Sequence, residues 1–279
     1  MSFLGSKIDS NRELGELKMD IRKVSSKNLT DICRRFLARN PVVNLLPLGD
    51  LYQPLFSVSA VYCATEHNTV VGVCSVYRAF SKPSLVLSAA AVEVKQALIK
   101  KALALILGEF IAPCSPEEVS LFTEHADIVH SCLEQQMITT APRHIEHSGI
   151  KATQVRKGEL ELLDTFYVEH GAEAWTPIQF RTGPYYCVKQ DGKIASAAGV
   201  HIVTPQIAQL GNIITDDAYR NQGFGTACTS TLAQHLASKG RIISLFVRVD
   251  NSPAIHIYEK LGFTKKRGIA FLTLRKKTA

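Results

Sequence analysis

Seven cysteines are spread along the 279 residues, yet no CxxC pair and no Cys/His cluster at zinc spacing occurs. Such spacing excludes a zinc-finger type of site and a disulfide framework, and predicts reduced cysteines with no metal bound. Long apolar runs are equally missing: none approaches the roughly 18 residues of a membrane span. The longest uncharged stretch, residues 194–215, is broken by His201, Thr204-Pro205-Gln206, Gln209 and Asn212. The opening MSFLGSKIDSNRELGELK has no apolar core of signal-peptide type. These absences predict a cytoplasmic protein in a reducing compartment, with no membrane partner. The chain also lacks GxGxxG and GxxxxGK followed by Ser or Thr, which excludes the two commonest phosphate loops. The basic runs Lys265-Lys266-Arg267 and Arg275-Lys276-Lys277 carry no interleaved aromatics, so they read as a solvated edge rather than a nucleic-acid surface.

What is present describes an ordinary globular chain, 46% hydrophobic and 20% charged, which excludes disorder. Its charge is unevenly placed. Residues 1–150 hold 15 basic and 15 acidic side chains, whereas residues 151–279 hold 17 and 10, so the whole +7 sits in the second half. A basic surplus suits an anionic ligand such as a phosphorylated cofactor, and equally an acidic partner.

Apolar spacing predicts a strand over residues 19–24, then a helix opened by Ser25 or Ser26 and stopped at Asn40-Pro41. A second helical stretch covers residues 43–52, strands follow at 59–65, 70–77 and 85–90, and a helix runs over 92–107. Residues 109–140 carry no single pattern. The polar segment APRHIEHSG then marks a boundary, after which the order restarts. A strand (153–156), a helix (159–167), a loose amphipathic stretch (172–180) and a hairpin turned by Asp191-Gly192 (185–189 and 194–203) lead to a strand over 207–215. A helix (223–238), a strand (242–249), a short helix (254–261) and a strand (269–275) complete the chain. Three segments follow from this: a flexible lead-in (1–18), a first unit (19–144) and a second (145–279).

The stretch GNIITDDAYRNQGFGTACTSTLAQHL concentrates the chemistry. A strand ends at Thr215, and Arg220-Asn221-Gln222-Gly223-Phe224-Gly225 opens a helix. Gly223 and Gly225 remove side chains where backbone N–H groups must close on an anion, and a helix N-terminus offers unpaired donors with partial positive charge. Farther on, SLFVRVDNSPAIHIYEKLGF places Asn251 at a strand end, Pro253 at the start of a helix, Tyr258 on it and Gly262 just past it.

These two segments, in this order, resemble the GNAT superfamily of N-acetyltransferases, whose R/QxxGxG/A loop is followed by an N-x-x-A-x-x-x-Y-x-x-x-G-F run. Asn251, Ala254, Tyr258, Gly262 and Phe263 match that run. The resemblance implies tandem acyl-CoA N-acyltransferase folds of mixed α/β sheet, acetyl-CoA as cosubstrate and a primary amine as acceptor, with no metal. It implies that the backbone of Ile213, Ile214 and Thr215 binds the pantetheine arm and that Arg220, Asn221, Gln222, Gly223, Phe224, Gly225 and Thr226 hold the pyrophosphate. It also implies that the Ile213 N–H stabilises the oxyanion, that Asn251 contacts the cofactor arm and that Tyr258 is the general acid. Where such enzymes often hold a basic His or Glu, this chain has Gln209 and Gly211, so the base is not read off directly; His201 and Glu173 are candidates, and a water chain is the alternative. In the first half, SLVLSAAAVEVKQALIKK has no glycine, and RNPVVNLLPLGDLY is similar to the degenerate leading half of two-domain acetyltransferases of the glycine N-acyltransferase type. An acyl-CoA sensor without catalysis is the second reading, prompted by those two unfilled base positions.

Overall fold

The computed structural model describes residues 19–145 and 149–277. The lead-in over residues 1–18 lies outside the described residues, as do residues 146–148 of the boundary segment. In chain order the elements are β1 (Asp20–Lys23), α1 (Lys27–Leu37), α2 (Leu45–Gly49), β2 (Ser59–Glu66), β3 (Thr69–Tyr77), β4 (Ser84–Ala89), α3 (Val92–Leu103), β5 (Glu109–Cys114), α4 (Val119–Thr123) and β6 (Ala126–Thr139). The second half follows with β7 (Thr153–Gln154), α5 (Leu160–Glu169), β8 (Tyr186–Gln190), β9 (Lys193–Val203), β10 (Ile207–Thr215), α6 (Phe224–Ala237), β11 (Ile242–Arg248), α7 (Ser252–Lys260) and β12 (Thr264–Lys276).

Local chemistry accounts for most boundaries. Ser26 caps α1, its hydroxyl accepting from the Leu29 N–H at 3.3 Å. Two hairpins turn on left-handed pairs, His67-Asn68 (φ 47° and 62°) and Asp191-Gly192 (φ 48° and 78°). Three expectations need correction. The helix expected over residues 43–52 is only five residues long, with Pro47 inside it and Gly49 at its end. Gly49 is pressed so closely on Ile202 of β9 that a β-carbon would stand 2.5 Å from the isoleucine. The helix expected to reach residue 107 stops at Leu103, because Leu107 is 93% exposed and Gly108 (φ 82°) turns the chain toward β5. The unpatterned 109–140 segment contains two strands, one of them the 14-residue β6.

All twelve strands form one mixed sheet in the order β1-β2-β3-β4-β5-β12-β6-β11-β10-β9-β8-β7. At its centre the two halves exchange strands. The last strand of the chain, β12, lies between β5 and β6, and β6 in turn pairs with β11. Edges that would be open in either half alone are thereby closed. The basic run Lys265-Lys266-Arg267 lies in this centre, and Arg267 turns inward, donating to Gln136 Oε1 at 2.7 Å and to the Val43 carbonyl at 2.9 Å.

Helices cover both faces of each half. In the first, α3 buries Leu98, Ile99 and Ala102 on one face, while Cys33 and Leu37 of α1 pack with Val61, Cys63 and Val73 on the other. In the second, α6 packs with Ala198, Val200, Ala208 and Leu210, and α5 with Tyr185, Trp175 and Ala197. A separate cluster at the junction joins Leu45, Leu55 and Tyr77 to Ile202 and Ile207. Among the described residues no helix is long and apolar enough to cross a membrane.

Candidate active site

Parallel strands β10 and β11 pair only through Ile207, Ala208 and Gln209, and then part. The first half repeats this: β4 and β5 share a single pair, Ser84 with Ile111. Past the parting β10 is bulged, with Asn212 left-handed (φ 51°), and neither Asn212 nor Ile213 has a partner residue in β9 or β11. Side chains from α5 and the following loop hold the bulge in place. Tyr167 donates its hydroxyl to the Asn212 carbonyl at 2.8 Å, and Asn212 Nδ2 donates to Gln179 Oε1 at 3.0 Å.

The loop after β10 is built to present donors. Asp216 accepts from the Ala218 N–H at 2.8 Å, and Asn221 (φ 62°) and Gly223 (φ 87°) are both left-handed. Among the described residues, the N–H groups of residues 221–226 make no backbone hydrogen bond, which leaves the amides at the head of α6 without backbone partners. Gly225 sits so close to β10 that a β-carbon would come within 2.8 Å of Thr215 Oγ1. The unpartnered amides fit a pyrophosphate in donor set. Gln222 donates to the Ala218 carbonyl at 3.1 Å, Phe224 stacks on Tyr219 and Thr226 is buried in the first turn. Arg220 is half-committed: it pairs with Asp217 at 2.5 Å and its Nε reaches the Thr215 carbonyl at 3.4 Å. The matching helix start of the first half, α3, follows Ala91 with no side-chain cap, and Glu93 puts a carboxylate where an anion would approach.

Asn251 caps α7, its Oδ1 accepting from the Ala254 N–H at 3.2 Å. Tyr258, on that helix, is buried beside Phe263 in the cluster against which Ile213 packs. Burial pushes its phenol up to about 12, so the proton is held across the physiological range. Among the described residues its hydroxyl has no hydrogen-bond partner.

The base candidates are placed very differently. Glu173 is exposed in the loop after α5. His201 is the extra residue of an irregular register between β9 and β10, and its ring lies over Gly211, where a β-carbon would come within 2.4 Å of Nε2. Burial lowers the imidazole from its usual value, opposed in part by the nearby Asn212 side chain. His201 Nε2 and Gln209 Oε1 are both buried and lack a partner. Sequence reasoning lists His201 and Gly211 separately and misses that the imidazole fills the glycine's empty space. The signal available was the glycine itself, since glycine inside a strand often marks a close approach.

Residues 189–272 match the family model described as FR47-like protein. Over 113 residues the chain is 34% identical to the [Ribosomal protein bS18]-alanine N-acetyltransferase of Escherichia coli K12, covering 38% of this chain and 76% of that protein. The chain belongs to the GNAT superfamily of acetyltransferases. A shorter match, 36% over 62 residues, joins it to the mycothiol acetyltransferase of Corynebacterium glutamicum, covering 22% of this chain and 21% of that one. Among solved structures, a tandem GNAT protein from the clavulanic acid biosynthesis pathway superposes at TM-score 0.62 with 12% identity, over 94% of this chain and all (100%) of that one. A GNAT-family acetyltransferase from Novosphingobium aromaticivorans gives 0.57 with 22% identity, over 74% and 89%. The fold is therefore that of tandem GNAT proteins, with mixed α/β architecture.

Proposed function

We propose that the protein moves an acetyl group from acetyl-CoA to a primary amine by direct attack in a ternary complex. Residues 145–279 form the unit that binds the cosubstrate, and residues 19–144 form a degenerate unit, without a phosphate cradle, that shapes the acceptor side. One observation carries this reading: the parting of β10 and β11 has the free amides of residues 221–226 at its outer end and the unpartnered His201 Nε2 over Gly211 on its flank.

Bound acetyl-CoA supplies the activated thioester. The backbone of Ile213, Ile214 and Thr215 aligns its pantetheine arm, and the 220–226 loop holds its pyrophosphate. His201, neutral because burial disfavours its charged form, accepts the ammonium proton of the acceptor. The Ile213 N–H, in the bulged stretch of β10 that has no partner residue in β9 or β11, donates to the carbonyl oxygen as negative charge develops there. Tyr258, whose phenol stays protonated at neutral pH, donates that proton to the departing thiolate. Asn251 steadies this region chiefly by capping α7. Glu173, exposed, is the weaker candidate for the base.

Calorimetric titration with acetyl-CoA, followed by thiol release across an amine panel, tests the proposal. Binding with thiol release supports it; no binding at millimolar ligand overturns it. Binding without thiol release across the panel favours a sensor.

A further inference from the structure

Helix α5 is fastened to β10 and its loop at two points one turn apart. Tyr167 donates to the Asn212 carbonyl in the bulge at 2.8 Å, and His170, three residues on at the helix end, reaches the loop that follows the strand. Its Nε2 stands 3.2 Å from Asp216 Oδ2, and its Nδ1 stands 2.7 Å from the Phe166 carbonyl in the last turn of α5. The imidazole also lies against the Phe166 ring, with centroids 4.3 Å apart. Asp216 is the pivot of the loop: its N–H donates to the Ala195 carbonyl at 2.9 Å, its Oδ1 accepts from the Ala218 N–H, and its carbonyl accepts from the Tyr219 N–H at 2.9 Å. Tyr219 stacks on Phe224, the first residue of α6. A chain of contacts thus runs from α5 through Asp216 to the amides of residues 221–226.

The two atoms that face the imidazole nitrogens are acceptors only, a carbonyl oxygen and a carboxylate oxygen. A neutral ring carries one N–H and satisfies one of them, whereas the doubly protonated ring donates to both, and its contact with Asp216 is then an ion pair. A cation at the end of a helix is favoured in addition. The His170 side chain is 19% exposed, at the wall of a cavity of about 450 Å³ lined by Glu169, Ile214, Asp216, Asp217 and Arg220, so the ring exchanges protons with solvent. The charged groups around it are Glu169 on α5, Asp216 and Asp217 in the turn after β10, and Arg220 beyond them. Carboxylates this close to a phosphate site oppose an anion unless they are met by cations. Arg220 meets Asp217, and His170 meets Asp216.

We propose that His170 is a positioning residue for cosubstrate binding: its doubly protonated imidazole straps the phosphate loop to the end of α5, so that acetyl-CoA meets a loop already in place. It acts through Asp216 and not on the reacting atoms. Loss of the second proton leaves a nitrogen lone pair facing either the carboxylate or the carbonyl, and the strap loosens. The consequence for affinity rests on the proposed binding of acetyl-CoA; the strap itself does not.

Calorimetry with acetyl-CoA on the full-length protein at about pH 6 and about pH 9, on either side of the histidine range, tests this. Each variant is compared with wild type at the same pH, so that titration of the ligand cancels. His170→Phe keeps a ring against Phe166 and removes both donors. It is expected to weaken acetyl-CoA about tenfold at the lower pH, the worth of one charge-assisted hydrogen bond, and by less than about threefold at the higher. Asp216→Asn keeps the Ala218 cap through Oδ1 and offers an N–H to a neutral Nε2. Relative to wild type it is therefore expected to bind at least about threefold better at the higher pH than at the lower. A loss in His170→Phe that is equal at both pH values, no loss at the lower pH, or an Asp216→Asn ratio that does not move with pH overturns the proposal. Amide hydrogen exchange of the ligand-free protein at the lower pH separates the strap from the ligand, and residues 216–226 are expected to exchange faster in His170→Phe than in wild type. If wild type binds no acetyl-CoA, the proposed function fails and exchange alone decides: faster exchange in the variant upholds the strap, and unchanged exchange overturns it.

Discussion

The imidazole of His201 on β9 occupies the space that a side chain at Gly211 on β10 would need, with Nε2 2.4 Å from where a β-carbon would stand. The space over Gly211 on β10 is thus filled from the neighbouring strand. Substituting either residue disturbs the same point from opposite sides.

Gly211→Ala is expected to push the ring out of place. Overpacking of this kind costs about 1–3 kcal/mol of stability, which urea unfolding will register. Acetyl transfer is expected to fall at least tenfold, with acetyl-CoA affinity kept.

His201→Gln is expected to lower kcat/KM by about 100-fold or more, the usual contribution of a positioned base. Because burial lowers the His201 pKa, its neutral, proton-accepting form is complete at neutral pH, and wild-type kcat/KM falls only as pH drops below the ordinary histidine value of about 6.5. A pH profile in which the variant keeps the same acid limb would assign that limb to another group.

Asp50 supplies a stability prediction of definite sign. Burial pushes its carboxyl up to about 7, well above the ordinary value of about 4. The folded protein therefore holds this proton more tightly than the unfolded chain. Its contribution is fully favourable below about pH 4, is lost as pH rises toward 7, and stays lost above. Asp50→Asn is expected to remove that dependence and to raise stability at pH 8 by on the order of 1–3 kcal/mol, measured by urea unfolding at pH 5 and pH 8.

Gly225→Val meets Thr215 Oγ1 and so displaces the start of α6, with its unpartnered amides, from β10. Calorimetry is expected to show acetyl-CoA bound at least tenfold more weakly, a loss of about 1.4 kcal/mol or more. Tyr258→Phe, by contrast, is expected to slow thiol release without changing that affinity.

The central strand exchange predicts how the chain can be cut. A fragment beginning at residue 145 loses β6, which leaves β11 and β12 with unpaired inner edges. It is expected to aggregate or to lack cooperative unfolding, whereas the full chain unfolds as one body. Size-exclusion chromatography and circular dichroism of the fragment check this.

Where local chemistry decides an element, the sequence announces it. Ser26, Asp191-Gly192 and the 207–215 strand are legible because a cap, a turn and an apolar run each act within a few residues. The 14-residue β6 is not, because its order comes from pairing on both edges. Ile128, Val129 and Leu133 remain 44–46% exposed among charged neighbours, so no alternation appears. The same holds for β12, whose Lys265–Arg267 start reads as solvated yet pairs with β6 and sends Arg267 inward to Gln136. At the site, the 220–226 loop is visible because glycine spacing and a helix start are local signals. The His201–Gly211 fit is invisible because it joins strands that only the sheet brings together.

Thiol release from acetyl-CoA in the presence of a panel of primary amines, compared between wild type and His201→Gln, decides whether the protein transfers acetyl groups with His201 as base. Amine-dependent release by the wild type, reduced about 100-fold in the variant, is the expected result. Acetyl-CoA bound by the wild type with no release for any amine would contradict acetyl transfer, and equal release by both proteins would contradict His201 as its base.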